Sequence, residues 1–142
     1  MKKRLIATLS TLGLMAVIGA SGVSASIPTW EFVAGNPACD EGTKIEPVTA
    51  GWHPLPDGGQ IRITLHDTDL GPTFDFLTSP SANFYVSSVI VKGGPNALLW
   101  TFNPPDNEGY GLHAPVNPKN GKYYGLSHLC FDSFKKTTDN TK

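Results

Sequence analysis

The sequence is poor in the residues and spacings on which common catalytic and metal-binding motifs depend. It holds only two cysteines and four histidines in 142 residues. No CxxC, HxH, HxxxH or GxSxG pattern occurs, so neither the usual ligand spacing of a zinc site nor the nucleophile turn of an α/β-hydrolase is present. Motif spacing therefore supplies no catalytic residue, no metal site and no cofactor site.

Charge is also scarce, because charged residues make up only 16% of the chain. Three of the 11 basic residues lie at positions 2–4, and without them eight basic residues face 12 acidic ones, a net charge of −4. Nucleic-acid binding needs basic side chains that neutralise phosphates, and adhesion to anionic lipid needs a basic surface. We therefore expect neither nucleic acid nor a membrane surface to be a partner.

The chain lacks an apolar run of the roughly 20 residues that a transmembrane helix needs. It has instead a basic start at residues 2–4, a shorter uncharged apolar run at 5–18, and the small-x-small pattern Val23-Ser24-Ala25. This order is typical of a secretory signal peptide that is cleaved after Ala25. No cysteine follows the apolar run directly. The sequence thus predicts an extracellular protein with no lipid anchor and no membrane insertion after cleavage.

Both cysteines, Cys39 and Cys130, lie after the predicted cleavage site. An exported chain with two distant cysteines most often pairs them, so we expect one disulfide that closes most of the domain. The predicted organisation is a signal peptide at 1–25, one secreted domain at 26–134 and a polar tail at 135–142.

The stretch that organises the predicted fold runs from residue 84 to residue 102. Residues 89–91 (VIV) put apolar side chains on both faces of a strand, which is typical of a strand covered above and below. A Gly-Gly-Pro turn at 93–95 follows, and apolar residues then alternate from 98 to 102, which places Trp100 in the core. We therefore predict a hairpin inside a sandwich.

Weaker patterns predict further strands. The clearest is 60–66 (QIRITLH), whose isoleucines and leucine should face the core while Arg62, Thr64 and His66 face solvent or a partner. The others are 30–33, 44–48, 73–77 and 124–131. Two stretches rich in glycine and proline, 51–59 and 103–123, are predicted as loops. The expected fold is all-β, an antiparallel β-sandwich of about seven short strands with one long irregular loop at 103–123.

Several motifs together resemble a family of uncharacterised secreted bacterial domains. They are 36–39 (NPAC), 44–47 (KIEP), 89–97 (VIVKGGPNA), 111–118 (GLHAPVNP) and 124–128 (YGLSH). The resemblance implies a two-cysteine β-sandwich of the kind often found at the N-terminal end of larger surface proteins, and it carries over no catalytic residue. In that family the last cysteine follows an aromatic residue, whereas Cys130 here precedes Phe131. Such a shift turns a strand side chain to the opposite face.

Aromatic residues in loop contexts are the best sequence sign of a ligand site. Exposed aromatic rings suit stacking on sugar rings or insertion into a protein surface. We predict Trp52, Tyr110, His113 and Tyr123 as binding residues.

The leading functional hypothesis is a monomeric, secreted, non-enzymatic binding module that acts outside the cell on a glycan, a wall polymer or a protein. One alternative is a small secreted hydrolase with carboxylates or a metal site in the 103–123 loop. A metal site there would combine His113 and His128 with Asp106 or Asp132, but their spacing does not favour it. The other alternative is a secreted antimicrobial or inhibitory factor.

Overall fold

The structure, a computed structural model, describes residues 26–137 of the chain. The predicted signal peptide and residues 138–142 of the predicted tail lie outside the described residues. The strands are β1 (Thr29–Val33), β2 (Thr43–Ile45), β3 (Gly51–Pro54), β4 (Gln60–Thr68), β5 (Gly71–Ser79), β6 (Phe84–Gly93), β7 (Asn96–Asp106), β8 (Glu108–Leu112), β9 (Val116–Asn117), β10 (Lys122–Tyr123) and β11 (His128–Lys135). A single-turn 3₁₀ helix lies at Pro56–Gly58. The predicted all-β fold is confirmed.

The predicted central hairpin is present as β6 and β7, which are ten and eleven residues long. Gly93 pairs with Asn96, so Gly94 and Pro95 form a two-residue turn. Gly94 has a φ of +62°, and a Cβ built there would lie 2.6 Å from the ring of Tyr124. The turn therefore needs glycine both for its backbone conformation and for the close approach of the tyrosine.

The strands form two larger antiparallel sheets and one short hairpin. The five-stranded sheet has the order β1–β7–β6–β11–β2, and the four-stranded sheet has the order β3–β4–β5–β8. Asn107 is the single residue between β7 of the first sheet and β8 of the second. The β9–β10 hairpin packs beside the β4–β5 turn, where the Tyr123 N–H donates to the Leu70 carbonyl (2.6 Å).

Phenylalanine side chains from both sheets meet in the core. The ring centroid of Phe76, on β5, lies 5.4 Å from that of Phe102, on β7, and 5.4 Å from that of Phe131, on β11. Both pairs have the edge-to-face geometry that aromatic rings prefer. Phe74 makes a third such contact, with Phe131, at 6.4 Å. These contacts join the two sheets face to face as a sandwich.

The stretch predicted as a long irregular loop, 103–123, is mostly regular structure. β7 continues to Asp106, and β8, β9 and β10 follow within the same stretch. The strand signal is weak here because β8 contains two glycines. At Gly109 a Cβ would lie 2.4 Å from the ring of Phe76, so this glycine allows close packing and does not interrupt the strand.

The other predicted strands are in place, with some differences in extent. Residues 30–33, 60–66 and 73–77 correspond to β1, β4 and β5, and of the predicted strand 44–48 only residues 44 and 45 lie in β2. The prediction of a loop throughout 51–59 is wrong, because β3 occupies Gly51–Pro54; its proline is tolerated at the end of an edge strand. The last strand, predicted at 124–131, begins at His128 and continues to Lys135.

The predicted disulfide between Cys39 and Cys130 is present. Leu129 and Phe131 are fully buried, so Cys130 between them points away from the core to the outer surface of the five-stranded sheet. β1 and β2 are opposite edges of this sheet, so residues 34–42 must cross its width. The disulfide attaches this crossing segment to β11. The position of Cys130 before Phe131 is therefore compatible with the bridge.

Candidate functional site

The four predicted binding residues fall into two groups in the sandwich. Trp52 and Tyr110 lie on the two edge strands of the four-stranded sheet, β3 and β8. His113 precedes the β9–β10 hairpin, Tyr123 is the last residue of β10, and their rings stack on each other. The first pair is well exposed, Trp52 to 47% and Tyr110 to 66%. The surface between Trp52 and Tyr110 is therefore the better candidate for a ligand site.

The strand alternation of β4 and β5 determines which side chains share this surface with Trp52 and Tyr110. Ile61, Ile63, Phe74 and Phe76 fill the core, so their neighbours face outward. In one row across the sheet, Trp52 pairs with Arg62, Arg62 with Leu77 and Leu77 with Glu108. The outer face, as we call this surface, comprises Trp52, Arg62, Thr64, His66, Asp75, Leu77, Glu108 and Tyr110.

At one side of the outer face, Arg62 lies against the indole of Trp52. The guanidinium carbon is 5.5 Å from the ring centroid, within the range of a cation–π contact. No carboxylate of residues 26–137 forms an ion pair with Arg62. The indole of Trp52 thus orients the guanidinium of Arg62. The N–H groups of the guanidinium remain available to hydrogen-bond acceptors of a ligand.

At the other side, Tyr110 is held by the acid two residues earlier on the same strand face. Its hydroxyl donates a 2.8 Å hydrogen bond to Oε1 of Glu108. This hydrogen bond raises the pKa of the Tyr110 phenol above its ordinary value, and burial and the nearby carboxylates act in the same direction. The ring is therefore neutral at physiological pH and fixed in orientation while most of its surface stays exposed.

Between the two aromatic residues, Asp75 organises the polar centre of the face. Its Oδ2 lies 2.8 Å from Nε2 of His66, and its Oδ1 accepts the N–H of Gly111 at 2.8 Å. Gly111 has a φ of +68° in the region where the β5–β8 register shifts, which lets its N–H turn to the carboxylate. Because a carboxylate oxygen can only accept, Nε2 of His66 donates to Asp75.

The spacing of the strands sets the size of a ligand that can use both aromatic residues. Trp52 and Glu108, at the ends of one row, are three strand spacings apart, or about 14 Å. This is beyond the roughly 7 Å over which two rings stack together, so Trp52 and Tyr110 lie on separate parts of the outer face. They can act as separate stacking platforms for an extended ligand that hydrogen-bonds to the polar groups between them.

Next to His66, residues of β4 and β5 and the segments that hold Val48 and Leu126 leave a cleft of about 390 Å³. Its walls are apolar at Val48, Leu65, Pro72 and Leu126 and polar at His66 and Asp67. Leu65 is on the core side of β4, as predicted, yet 41% of it is exposed because the sandwich is not filled at this end. The cleft adjoins the outer face at His66, the one residue that the two share.

The second pair of predicted residues belongs to an aromatic cluster. The rings of His113 and Tyr123 are parallel to within 8° with centroids 3.8 Å apart, and the His113 ring meets the edge of Trp100 at 5.2 Å. Trp100 is buried, as predicted, and its Nε1–H donates to the His113 carbonyl at 3.1 Å. Trp30 lies 6.3 Å from both Trp100 and His113. This cluster attaches the β9–β10 hairpin to the sandwich.

The residues considered for a metal site are not gathered in one place. Among residues 26–137 there is no group of three or more His, Cys, Asp or Glu side chains that could hold an ion. His128 is buried on β11, and burial lowers the pKa of its imidazole; Lys44 and Lys92 add to this effect and Glu46 opposes it.

Asp75 and Glu108 were absent from the predicted site. The alternation of residues 73–77 already places Asp75 on the opposite face from Phe74 and Phe76, and this is the signal that could have identified it. Glu108 had no such signal, because β8 was not predicted as a strand.

No protein-family model, curated protein or solved structure matches this chain. Between residues 26 and 137 no helix is long and apolar enough to cross a membrane.

Proposed function

We propose that the protein is a secreted, non-enzymatic glycan-binding module whose ligand lies along the outer face of the four-stranded sheet. The observation that carries the proposal is the position of Trp52 and Tyr110. Both are exposed on the outer face, on either side of the polar groups of Arg62, His66 and Asp75. Aromatic rings can stack on the apolar faces of sugars while the polar groups hydrogen-bond to hydroxyls.

The distribution of polarity on this face favours a glycan over a protein. Protein interfaces concentrate apolar and aromatic residues at the centre and place charges at the rim. Here the aromatic residues lie at the two sides, and the centre holds a guanidinium and a carboxylate–imidazole pair beside Leu77, the only aliphatic side chain of the outer face. A ligand rich in hydroxyl groups satisfies such a centre better than an apolar protein surface does.

Two features support action outside the cell. The Cys39–Cys130 disulfide is typical of proteins that fold in an oxidising environment. The order of basic, apolar and small residues at 1–25 is that of a secretory signal peptide.

The test is a binding assay with residues 26–142 on immobilised cellulose, chitin, xylan, mannan and peptidoglycan. We expect Trp52→Ala and Tyr110→Ala each to weaken binding to the retained polymer by about tenfold, which corresponds to about 1.4 kcal/mol. Phe134→Ala is the matched control, because Phe134 is an equally exposed aromatic residue (45%) on a strand of the other sheet. Retention by none of the polymers, or equal losses in all three variants, would refute the proposal.

A further inference from the structure

The carboxylate of Asp106 is directed at the first described residue. Oδ2 of Asp106 accepts the hydroxyl of Ser26 at 2.9 Å and lies 3.4 Å from the Ser26 main-chain nitrogen. Its Oδ1 accepts the N–H of Asn107 at 2.7 Å, which fixes the carboxylate at the point where β7 leads into β8. The contact thus joins residues 80 positions apart in the chain.

The contact between the Ser26 amide N–H and the Asp106 carboxylate is long for a hydrogen bond. An N–H···O hydrogen bond is usually about 2.9 Å long, and 3.4 Å is beyond the normal range. Hydrogen bonds between a cation and a carboxylate are shorter and about twice as strong. The geometry would therefore improve if the nitrogen of Ser26 carried a positive charge.

The sequence provides a way to create that charge. Signal-peptidase cleavage after Ala25 adds water across the Ala25–Ser26 peptide bond; the hydroxyl goes to the Ala25 carbonyl carbon and the nitrogen of Ser26 becomes a free amine. An α-amino group with an ordinary pKa near 8 takes up a proton at neutral pH. We propose that this processing creates an ion pair between the Ser26 ammonium and Asp106, and that the ion pair completes the polar wall of the ligand site beside Tyr110. The proposal rests on the proposed export and binding function.

The position of the pair connects it to the outer face. Ser26, Asp106, Glu108 and Tyr110 together line a cavity of about 150 Å³ at the edge of the four-stranded sheet. Asp106 and Glu108 both contribute to the raised pKa of Tyr110, and neither is in an ion pair with a side chain of residues 26–137. A Ser26 ammonium would offset this negative charge next to the stacking ring, which favours binding of neutral or acidic sugars.

The experiment compares two forms of the protein, one that begins at Ser26 and one that retains Ala25 and so keeps an amide at the Ser26 nitrogen. We expect the Ser26 form to melt about 2–5 °C higher, with a difference that shrinks in high salt. Asp106→Asn should remove most of this difference. Ser26→Ala should preserve it, because the ammonium remains when the hydroxyl is lost. Asp69→Asn, at an exposed acid of the β4–β5 turn, is the matched control and should affect both forms equally.

Equal melting temperatures of the two forms, or an equal effect of Asp106→Asn on both, would overturn the ion pair. Export of the full chain followed by N-terminal sequencing should give Ser26 as the first residue, and any other start would also overturn it. On the polymer that the protein retains, the Ser26 form should bind about threefold more tightly than the Ala25 form. Equal affinities would overturn the connection to the ligand site. The melting comparison needs no ligand, so it remains decisive if no polymer is bound.

Discussion

Replacing both cysteines with alanine should destabilise the protein severely. The Cys39–Cys130 bridge joins residues 91 positions apart, and it therefore restricts most of the unfolded chain. In the chain-entropy model a loop of this length contributes about 4–5 kcal/mol to the free energy of unfolding. For a domain of this size, we expect the melting temperature of Cys39→Ala/Cys130→Ala to fall by about 15–30 °C.

Urea unfolding followed by tryptophan fluorescence measures this difference directly. Trp100 is buried between the sheets, so its emission should report loss of the core. Wild-type protein in reductant should match the double variant, and the variant itself should not respond to reductant. A loss below about 1 kcal/mol would refute the reasoning, because residues 34–42 and β11 would then hold together without the covalent link.

Three further predictions concern single side chains. Gly109→Ala forces a methyl group into a core phenylalanine ring and should cost about 1–3 kcal/mol of unfolding free energy, whereas Gly125→Ala, with no atom within 4 Å of its Cβ, should be almost neutral in the same urea titration. Tyr110 should titrate above its ordinary pKa of about 10 in ultraviolet absorbance, and Glu108→Gln should bring that pKa back towards 10; an unchanged titration would contradict the hydrogen bond. Because the pKa of His128 is lowered in the folded protein, the unfolded chain binds the proton first, so stability should fall as the pH drops below about 6.5 towards the folded pKa; a His128→Gln variant that keeps the same pH dependence would exclude this histidine as the cause.

Local sequence patterns were sufficient for the central hairpin, for β4 and for the disulfide. In these segments, apolar alternation and turn residues agree with the final packing, so the local signal and the tertiary structure coincide. The pattern failed at residues 103–123 because β8 uses glycine where Phe76 needs space. Such a requirement comes from a residue more than thirty positions away and cannot be read from the local sequence.

The candidate site was predictable only in part for a similar reason. Trp52 and Tyr110 were chosen as aromatic residues in loops, yet both lie on edge strands and are exposed because their strands turn these side chains outward. Their common face follows from the β4–β5 and β5–β8 registers, which are long-range pairings. The position of Glu108 on this face, next to Tyr110, depends on the β5–β8 register.

The covalent link between Cys39 and Cys130 also determines how the protein would respond to mechanical force. If the two ends of the body were pulled apart, the load would pass through the sulfur–sulfur bond and bypass the segment between the cysteines, which are 91 positions apart. Only the residues outside the bridge could be drawn out, and on the N-terminal side the thirteen residues from position 26 extend by at most about 45 Å. The outer face of the four-stranded sheet lies within the bypassed interval, so tension between the two ends of the body would leave the proposed ligand surface folded.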